Sequence, residues 1–329
     1  MFFIRRTNNE VPIIKEFYVL GTVIQLKVYG KKAEKAIEEA IRRLYEIDDK
    51  MSAFKEYSEV SKINKSAGRL HSEVSNDTYF VIKKAVQYSK LSEGAFDPTI
   101  RPIVSLWGIN TSNARIPHKD EINNLLKLVN YGDVSLNDSN KTIKLNCENQ
   151  CIDVGGIAKG YAADEVKNIF KKNKIQSALI DLGGNIFAYR SKPDGTQWNI
   201  GIQDPFSFTG EYGGIVSVKN KSIVTSGNYE RYFIKDGKRF HHIIDPRTGY
   251  PSENGVISVT IISDYSIDGD ALSTCAYVMG LDKGIKLIES LEGVDAIFIT
   301  EDKKIHVTSG VKNNFKLCNS EFIYQNYMN

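Results

Sequence analysis

Ser177-Ala-Leu-Ile-Asp-Leu-Gly-Gly-Asn-Ile-Phe-Ala-Tyr189 predicts two strands joined by a glycine pair. The apolar run ends near a carboxylate, Asp181, and Gly183-Gly184 permits a tight reversal or a bulge. A connection this short joins neighbouring antiparallel strands, because a parallel crossover needs a dozen residues or more. Working outward, further strands are predicted at 22–28, 134–136, 142–145, 198–202, 214–219, 222–225, 231–234, 239–244, 256–262 and 296–300. Turn sequences such as Asn137-Asp138-Ser139-Asn140 and Lys235-Asp236-Gly237-Lys238 separate several of them. Helical periodicity marks 33–47, a segment opened by Asn76, 119–129, 158–173, 267–279 and 283–291, with a short helix near 60–64. The expected class is α+β, with a mixed, largely antiparallel sheet core flanked by helices and a helix-rich N-terminal part. The helix-rich stretch, about 31–129, is a candidate subdomain within one unit spanning 1–329, although no linker marks a boundary.

Composition narrows the function classes. Of 329 residues, 41% are hydrophobic and 25% charged, which suffices for a sizeable core. The 43 basic and 40 acidic residues leave a net charge of +3, too balanced for a nucleic-acid binder. The lysines at 31–35 and 171–174 read as solvated helix ends suited to the local dipole. Four cysteines in so long a chain make no disulfide framework, and Cys147 and Cys151 lack a second Cys/His pair of matching spacing. No apolar run approaches the ~20 residues of a membrane span. Met1-Phe-Phe-Ile-Arg-Arg-Thr-Asn-Asn-Glu10 has no extended apolar core after its arginines and does not read as a signal peptide. The expectation is a cytoplasmic protein, or an extracytoplasmic one whose leader has been removed.

Three segments look chemical. In Cys151-Ile-Asp-Val-Gly-Gly-Ile-Ala-Lys-Gly-Tyr-Ala-Ala-Asp164, Asp153 ends an apolar strand, two glycines follow, and a helix begins near Ala158 with Lys159 in its first turn. Close backbone approach, free helix N–H groups and a cation suit a phosphate, although taken alone such a glycine pair is more often a plain tight connection. The order is neither a P-loop nor GxGxxG. In Ser266-Ile-Asp-Gly-Asp-Ala-Leu-Ser-Thr-Cys-Ala-Tyr277, Asp270 and Thr274 share a helix face. Their oxygens suit a hard cation such as Mg²⁺, whereas Asp268 reads as helix capping. In His241-His242-Ile-Ile-Asp-Pro-Arg-Thr-Gly249, His242 could serve as a base and Asp245 opens a turn. Phe54 and Phe96 could cover a flat ring, though core packing explains lone phenylalanines more often.

Together these segments resemble the ApbE family of FAD:protein FMN transferases. The resemblance covers about 17–308. It rests on Leu20-Gly-Thr22, Met51-Ser-Ala-Phe54 with Ser58-Glu-Val-Ser-Lys-Ile-Asn64, Gly94-Ala-Phe-Asp-Pro-Thr99 with Leu106-Trp-Gly108, the stretch from Asp153 to Asp164, Asp181-Leu-Gly-Gly-Asn185, Ser226-Gly-Asn-Tyr-Glu-Arg-Tyr-Phe233, the stretch from His242 to Gly249, and Asp270-Ala-Leu-Ser-Thr274. The resemblance implies that FAD is the substrate, and that Mg²⁺ is held by the Gly156 carbonyl, Asp270, Ser273 and Thr274. It implies flavin contacts at Leu20, Phe54, Ala95, Phe96, Asp97, Asp153, Lys159 and Ile244, and catalytic positions at His242 and Asp270. The reaction implied moves FMN to a threonine or serine hydroxyl of an acceptor flavoprotein as a phosphoester, releasing AMP. Many members carry methionine at Leu20 and tyrosine at Phe54, and some place a second carboxylate where Ser273 stands. Two other readings keep parts of the same site: a pyrophosphatase giving free FMN and AMP, and a flavin carrier without turnover.

Overall fold

The computed structural model describes residues 11–208 and 210–326; the stretch 1–10, which does not read as a signal peptide, lies outside them. Along the chain run β1 (Ile13–Val19), β2 (Thr22–Tyr29), α1 (Ala33–Met51), α2 (Glu59–Lys65), β3 (Ser72–Glu73), α3 (Asn76–Leu91), α4 (Arg101–Trp107), α5 (Lys119–Leu126), β4 (Val134–Asn137), β5 (Thr142–Leu145) and α6 (Ala158–Lys172). There follow β6 (Ser177–Leu182), β7 (Asn185–Tyr189), β8 (Trp198–Gln203), β9 (Tyr212–Val218), β10 (Lys221–Gly227), β11 (Tyr232–Lys235), β12 (Lys238–His241) and β13 (Val256–Ser263). The chain continues through α7 (Ser266–Met279), α8 (Leu281–Glu289), β14 (Asp295–Thr300), β15 (Lys304–Val307), β16 (Phe315–Leu317) and β17 (Ile323–Asn326).

The α+β expectation holds. One nine-stranded sheet runs β1-β2-β6-β7-β10-β13-β14-β15-β17. Every adjacent pair in it is antiparallel except β15 with β17. The segment from Ser177 to Tyr189 is the predicted hairpin: Asp181 pairs with Ile186 across the Gly183-Gly184 turn, where φ is 65° and 89°. Both angles lie in the left-handed region, as a two-residue hairpin turn requires.

The sheet is buried on both faces. On one side Ile24, Leu26, Ile180 and Val259 join the apolar residues of α1, α3, α6, α7 and α8 in a single core that includes Ala36, Leu44, Val81 and Ile82 from the helix-rich part. On the other, Ile223, Ile262 and Ile297 meet Trp198, Ile200 and Val216 of β8 and β9. A third cluster packs Ile103 and Trp107 of α4 and Ile122 of α5 against Phe240 of β12 and Ile244.

Several boundaries differ from expectation. Ser75 occupies the N-cap position of α3, and Asn76 is its first helical residue. The helix expected over 119–129 stops at Leu126, and the strand expected over 239–244 ends at His241, so His242 lies beyond it. Lys171 and Lys172 stand in the last turn of α6, as the dipole favours, but Lys32 is the N-cap of α1, where a cation is disfavoured.

Candidate active site

The site begins where the first turns of α6 and α7 touch. A Cβ on Gly160 would lie 2.3 Å from the Ser266 carbonyl oxygen and 2.6 Å from Ile267 Cα, so glycine permits this approach. The Gly160 N–H, unpaired within the first turn of α6, donates to Asp270 Oδ2 at 2.8 Å. In return Asp164 Oδ2 accepts from the Ile267 N–H of α7 at 3.0 Å. Each helix thus has an N-terminal amide satisfied by the other's carboxylate. Asp268 does not cap: its Oδ1 accepts from the Tyr88 hydroxyl and from Lys84 Nζ at 3.2 Å, fastening α7 to α3. The capping expected of Asp268 falls to Asp164 because the chain neighbour that reaches the free amides belongs to α6.

Asp270 is 4% exposed, and its Oδ1 lies 3.7 Å from Lys159 Nζ. One turn on, Ser273 is fully buried and Thr274 half-buried. Ser273 Oγ donates to the Asp270 carbonyl at 2.9 Å and stands 2.8 Å from Ser226 Oγ. Ser226 Oγ is also 3.2 Å from Thr274 Oγ1. Strand alternation places Ser222, Val224 and Ser226 of β10 on the side facing α7, where Ser222 bonds Ser266 and Val224 borders Gly269. A Cβ on Gly156 would lie 4.0 Å from Thr274 Oγ1 and 3.2 Å from the Phe96 ring, so Gly156 brings bare backbone up to both.

The 94–99 and 151–156 segments run side by side. The Asp153 N–H donates to the Pro98 carbonyl at 2.7 Å, and Ile100 bridges Cys151. Asp153 Oδ1 accepts from the Gly155 N–H at 2.8 Å, while Oδ2 pairs with Arg101 Nη1 at 2.8 Å. The Arg101 guanidinium lies 4.6 Å from the Phe54 ring centroid, and that ring is 84% exposed. Asp97 turns inward: Oδ1 takes the Thr99 N–H and hydroxyl, and Oδ2 takes the Tyr131 N–H. Burial raises the Asp97 pKa. Ala95, Phe96 and Ile244 are buried. Leu20 occupies the β1–β2 turn with φ 56°, beside Thr22, which a Cβ on Gly183 would strike.

His242 is half-buried, and its Nδ1 lies 3.2 Å from the Arg231 carbonyl. A carbonyl only accepts, so Nδ1 carries the proton and the Nε2 lone pair is free. Burial, then the Arg231 and Lys159 charges, push the His242 pKa down to about 4. The imidazole is therefore neutral at physiological pH and lies within electrostatic reach of Lys159. Asp245 opens the turn as expected: its carbonyl accepts from the Thr248 and Gly249 N–H groups at 3.2 and 2.8 Å, and its Oδ1 from the Arg247 N–H at 2.9 Å.

Gly156, Lys159, Asp270, Ser273, Thr274 and Phe96 are therefore brought to one locality, with Phe54 and Asp153 linked through Arg101, whereas the hydrogen bond His242 makes is to the Arg231 carbonyl. Ala95 and Asp97, next to Phe96, form the buried backing of that locality, whereas Ile244 packs in the separate cluster of Ile103, Trp107, Ile122 and Phe240. Sequence reasoning assigned no role to Ser226, Arg101 or Gly160. For Ser226 the available signal was the period of two on β10. Among the described residues no cluster of three or more His, Cys, Asp or Glu exists, so zinc-type coordination finds no footing. One carboxylate with hydroxyl and carbonyl oxygens is instead a hard-oxygen set that suits a cation sharing its shell with phosphates. No described helix is long and apolar enough to cross a membrane.

The chain is similar throughout to proteins of one family. The ApbE family matches residues 20–298. A relative from Treponema pallidum (strain Nichols), named FAD:protein FMN transferase, is 34% identical over 93% of this chain and 90% of its own length. One of the same name from Klebsiella pneumoniae (strain 342) is 34% identical over 92% of this chain and 94% of its own. The crystal structure of the ApbE protein from Thermotoga maritima superposes with a TM-score of 0.85 at 34% identity, covering 92% of this chain and 99% of that one. The flavin transferase ApbE from Vibrio cholerae superposes with a TM-score of 0.82 at 28% identity, over 92% of this chain and 99% of that one. With the α6–α7 junction in place and matches spanning nearly its full length, the chain belongs to the ApbE family.

Proposed function

We propose that this enzyme transfers the FMN half of FAD to a threonine or serine hydroxyl of an acceptor protein, with Mg²⁺ at the α6–α7 junction. The observation that carries the reading is the meeting of Asp270, Thr274, Gly156 and Lys159 at the first turn of α6, together with relatives named for this activity. Asp270, Thr274 and the Gly156 carbonyl would hold the cation, with Ser273 behind them. When bound, Mg²⁺ neutralises charge on the pyrophosphate oxygens. Lys159 adds positive charge, and its N–H is the first-turn amide of α6 left for the same oxygens, since Ala158 donates to the Val154 carbonyl and Gly160 to Asp270. Phe54, Phe96 and Leu20 give the flavin apolar cover, with Ala95, Asp97, Asp153 and Ile244 along its walls.

The acceptor oxygen forms a bond to the phosphorus next to riboflavin as the anhydride bond to AMP breaks. AMP leaves with the bonding pair, and the hydroxyl proton passes to His242 Nε2. Pyrophosphate hydrolysis uses the same groups with water as nucleophile, so product analysis separates the two. FAD, Mg²⁺ and candidate acceptor proteins are mixed with the enzyme, and intact masses are measured. The expected result is an acceptor heavier by one FMN, with no gain under Asp270→Ala. Free FMN and AMP without labelled acceptor would establish hydrolysis, and unchanged FAD would establish a carrier.

A further inference from the structure

We infer that Ser226 is a positioning residue for the cation site: it takes the Thr274 hydroxyl proton, so that Thr274 turns oxygen lone pairs toward the metal. The inference rests on the reading above that Asp270 and Thr274 hold a divalent cation. Counting the hydroxyl protons fixes the direction of each bond. Ser273 has one hydroxyl proton, and it goes to the Asp270 carbonyl at 2.9 Å, because a carbonyl can only accept. At 2.8 Å from Ser226 Oγ, Ser273 must therefore be the acceptor, and the Ser226 proton is spent there. At 3.2 Å from Thr274 Oγ1, Ser226 must in turn accept, so Thr274 is the donor. The protons run Thr274 to Ser226 to Ser273 to the Asp270 carbonyl, and the relay is anchored in a helix backbone that cannot reverse it.

A hydroxyl that binds a cation needs its proton directed away from the ion. Partners behind a ligand fix this orientation, and their loss typically lowers metal affinity 10–100-fold. Ser226 supplies that partner from β10, a different element from the α7 helix that carries Thr274. The relay also gives fully buried Ser273 a defined role: its hydroxyl holds Ser226 in the accepting orientation. No carboxylate stands behind Thr274 in this relay, so its orientation depends on the serine.

The test measures metal binding apart from turnover. Mn²⁺, a hard cation with an EPR signal, is titrated into the intact enzyme with ADP present as a pyrophosphate that carries no flavin. Ser226→Ala should raise the apparent Kd for Mn²⁺ about 10-fold. Ser226→Thr, which keeps the hydroxyl, should stay within about twofold of wild type. FAD binding in EDTA, followed by flavin fluorescence, should be unchanged in both. Wild-type Mn²⁺ affinity in Ser226→Ala overturns the inference, as does equal loss of metal-free FAD binding, which marks a general packing defect. Absence of protein-bound Mn²⁺ in the wild type would instead remove the cation reading itself.

Discussion

At the scale of single residues, the site depends on atoms that are missing as much as on those present. Gly160→Ala would drive a methyl into the Ser266 carbonyl and Ile267 Cα, both backbone and unable to rotate away. Such overpacking costs about 1–3 kcal/mol. It also pushes the Gly160 N–H off Asp270, so transfer should fall further than a lowered Tm explains; calorimetry and the mass assay on the same sample measure both. His242 makes a second prediction. Loss of a general base costs ~10²–10⁴ in rate, so His242→Gln should fall in that range in single-turnover transfer, and near-normal turnover would reduce the residue to an orienting role. Because its pKa is pushed down to about 4, the base stays neutral well below pH 6, and the acid limb of the rate profile should fall near 4. The candidate site residues were legible where a type and a spacing coincide, as in Asp270 and Thr274, which the structure does place one turn apart on α7. Ser226 and Arg101 were not, because their partners lie 47 and 52 residues away.

At the scale of elements, α7 carries the proposed cation ligands Asp270 and Thr274, and α3, α6 and β10 hold it still. The Asp164–Ile267 and Asp270–Gly160 bonds fix α6 against α7, and Tyr88 and Lys84 fix α3 against Asp268. Burial and the adjacent Asp268 carboxylate both raise the Tyr88 pKa, so the hydroxyl stays protonated and remains a donor. Tyr88→Phe removes that bond while keeping the ring. A hydrogen bond to a charged group contributes about 1.5–3 kcal/mol, and the variant should unfold at lower denaturant by that amount with the same m-value. Elements with a strong internal period were read correctly, including α1 and α6. β1 escaped because it is an edge strand: Ile13, Ile14, Lys15, Glu16 and Tyr18 are all exposed, so apolar and polar residues do not alternate. α4 escaped because it is only 7 residues long, with a proline in its first turn, too short to show a helical period. β15, β16 and β17 are only 4, 3 and 4 residues long.

At the scale of the whole molecule, the strand order was hidden because it is built from distant pairs. β2 finds β6 about 150 residues further on, with Ile24 opposite Leu182, and β9 recruits β16 near the end of the described chain. No local pattern encodes such pairings. Packing of distant segments also buries His241, whose ring meets Tyr277 in the last turn of α7. His241 is 4% exposed, donates from Nε2 to the Ser252 carbonyl at 3.1 Å, and leaves Nδ1 without a partner. Burial pushes its pKa from 6.5 down to about 4. The unfolded chain therefore binds this proton below about pH 6.5 while the folded one refuses it until about pH 4, so stability is full above 6.5 and drains as pH falls between those values. At pH 4.5 the loss from this one group is on the order of 2–3 kcal/mol. Asp97, Asp164 and Asp181 act in the opposite sense, since burial raises each of their pKa values and makes protonation easier in the folded state. A substitution at His241 separates the two. His241→Phe keeps a ring against Tyr277 and removes the titration, at the cost of the bond to Ser252. Urea unfolding at pH 7.5 and 4.5 should show a smaller acid loss in the variant than in the wild type, by on the order of 2–3 kcal/mol, whatever the variant's stability at pH 7.5. Equal acid losses in the two proteins would show that His241 takes up its proton in the folded state as readily as in the unfolded one.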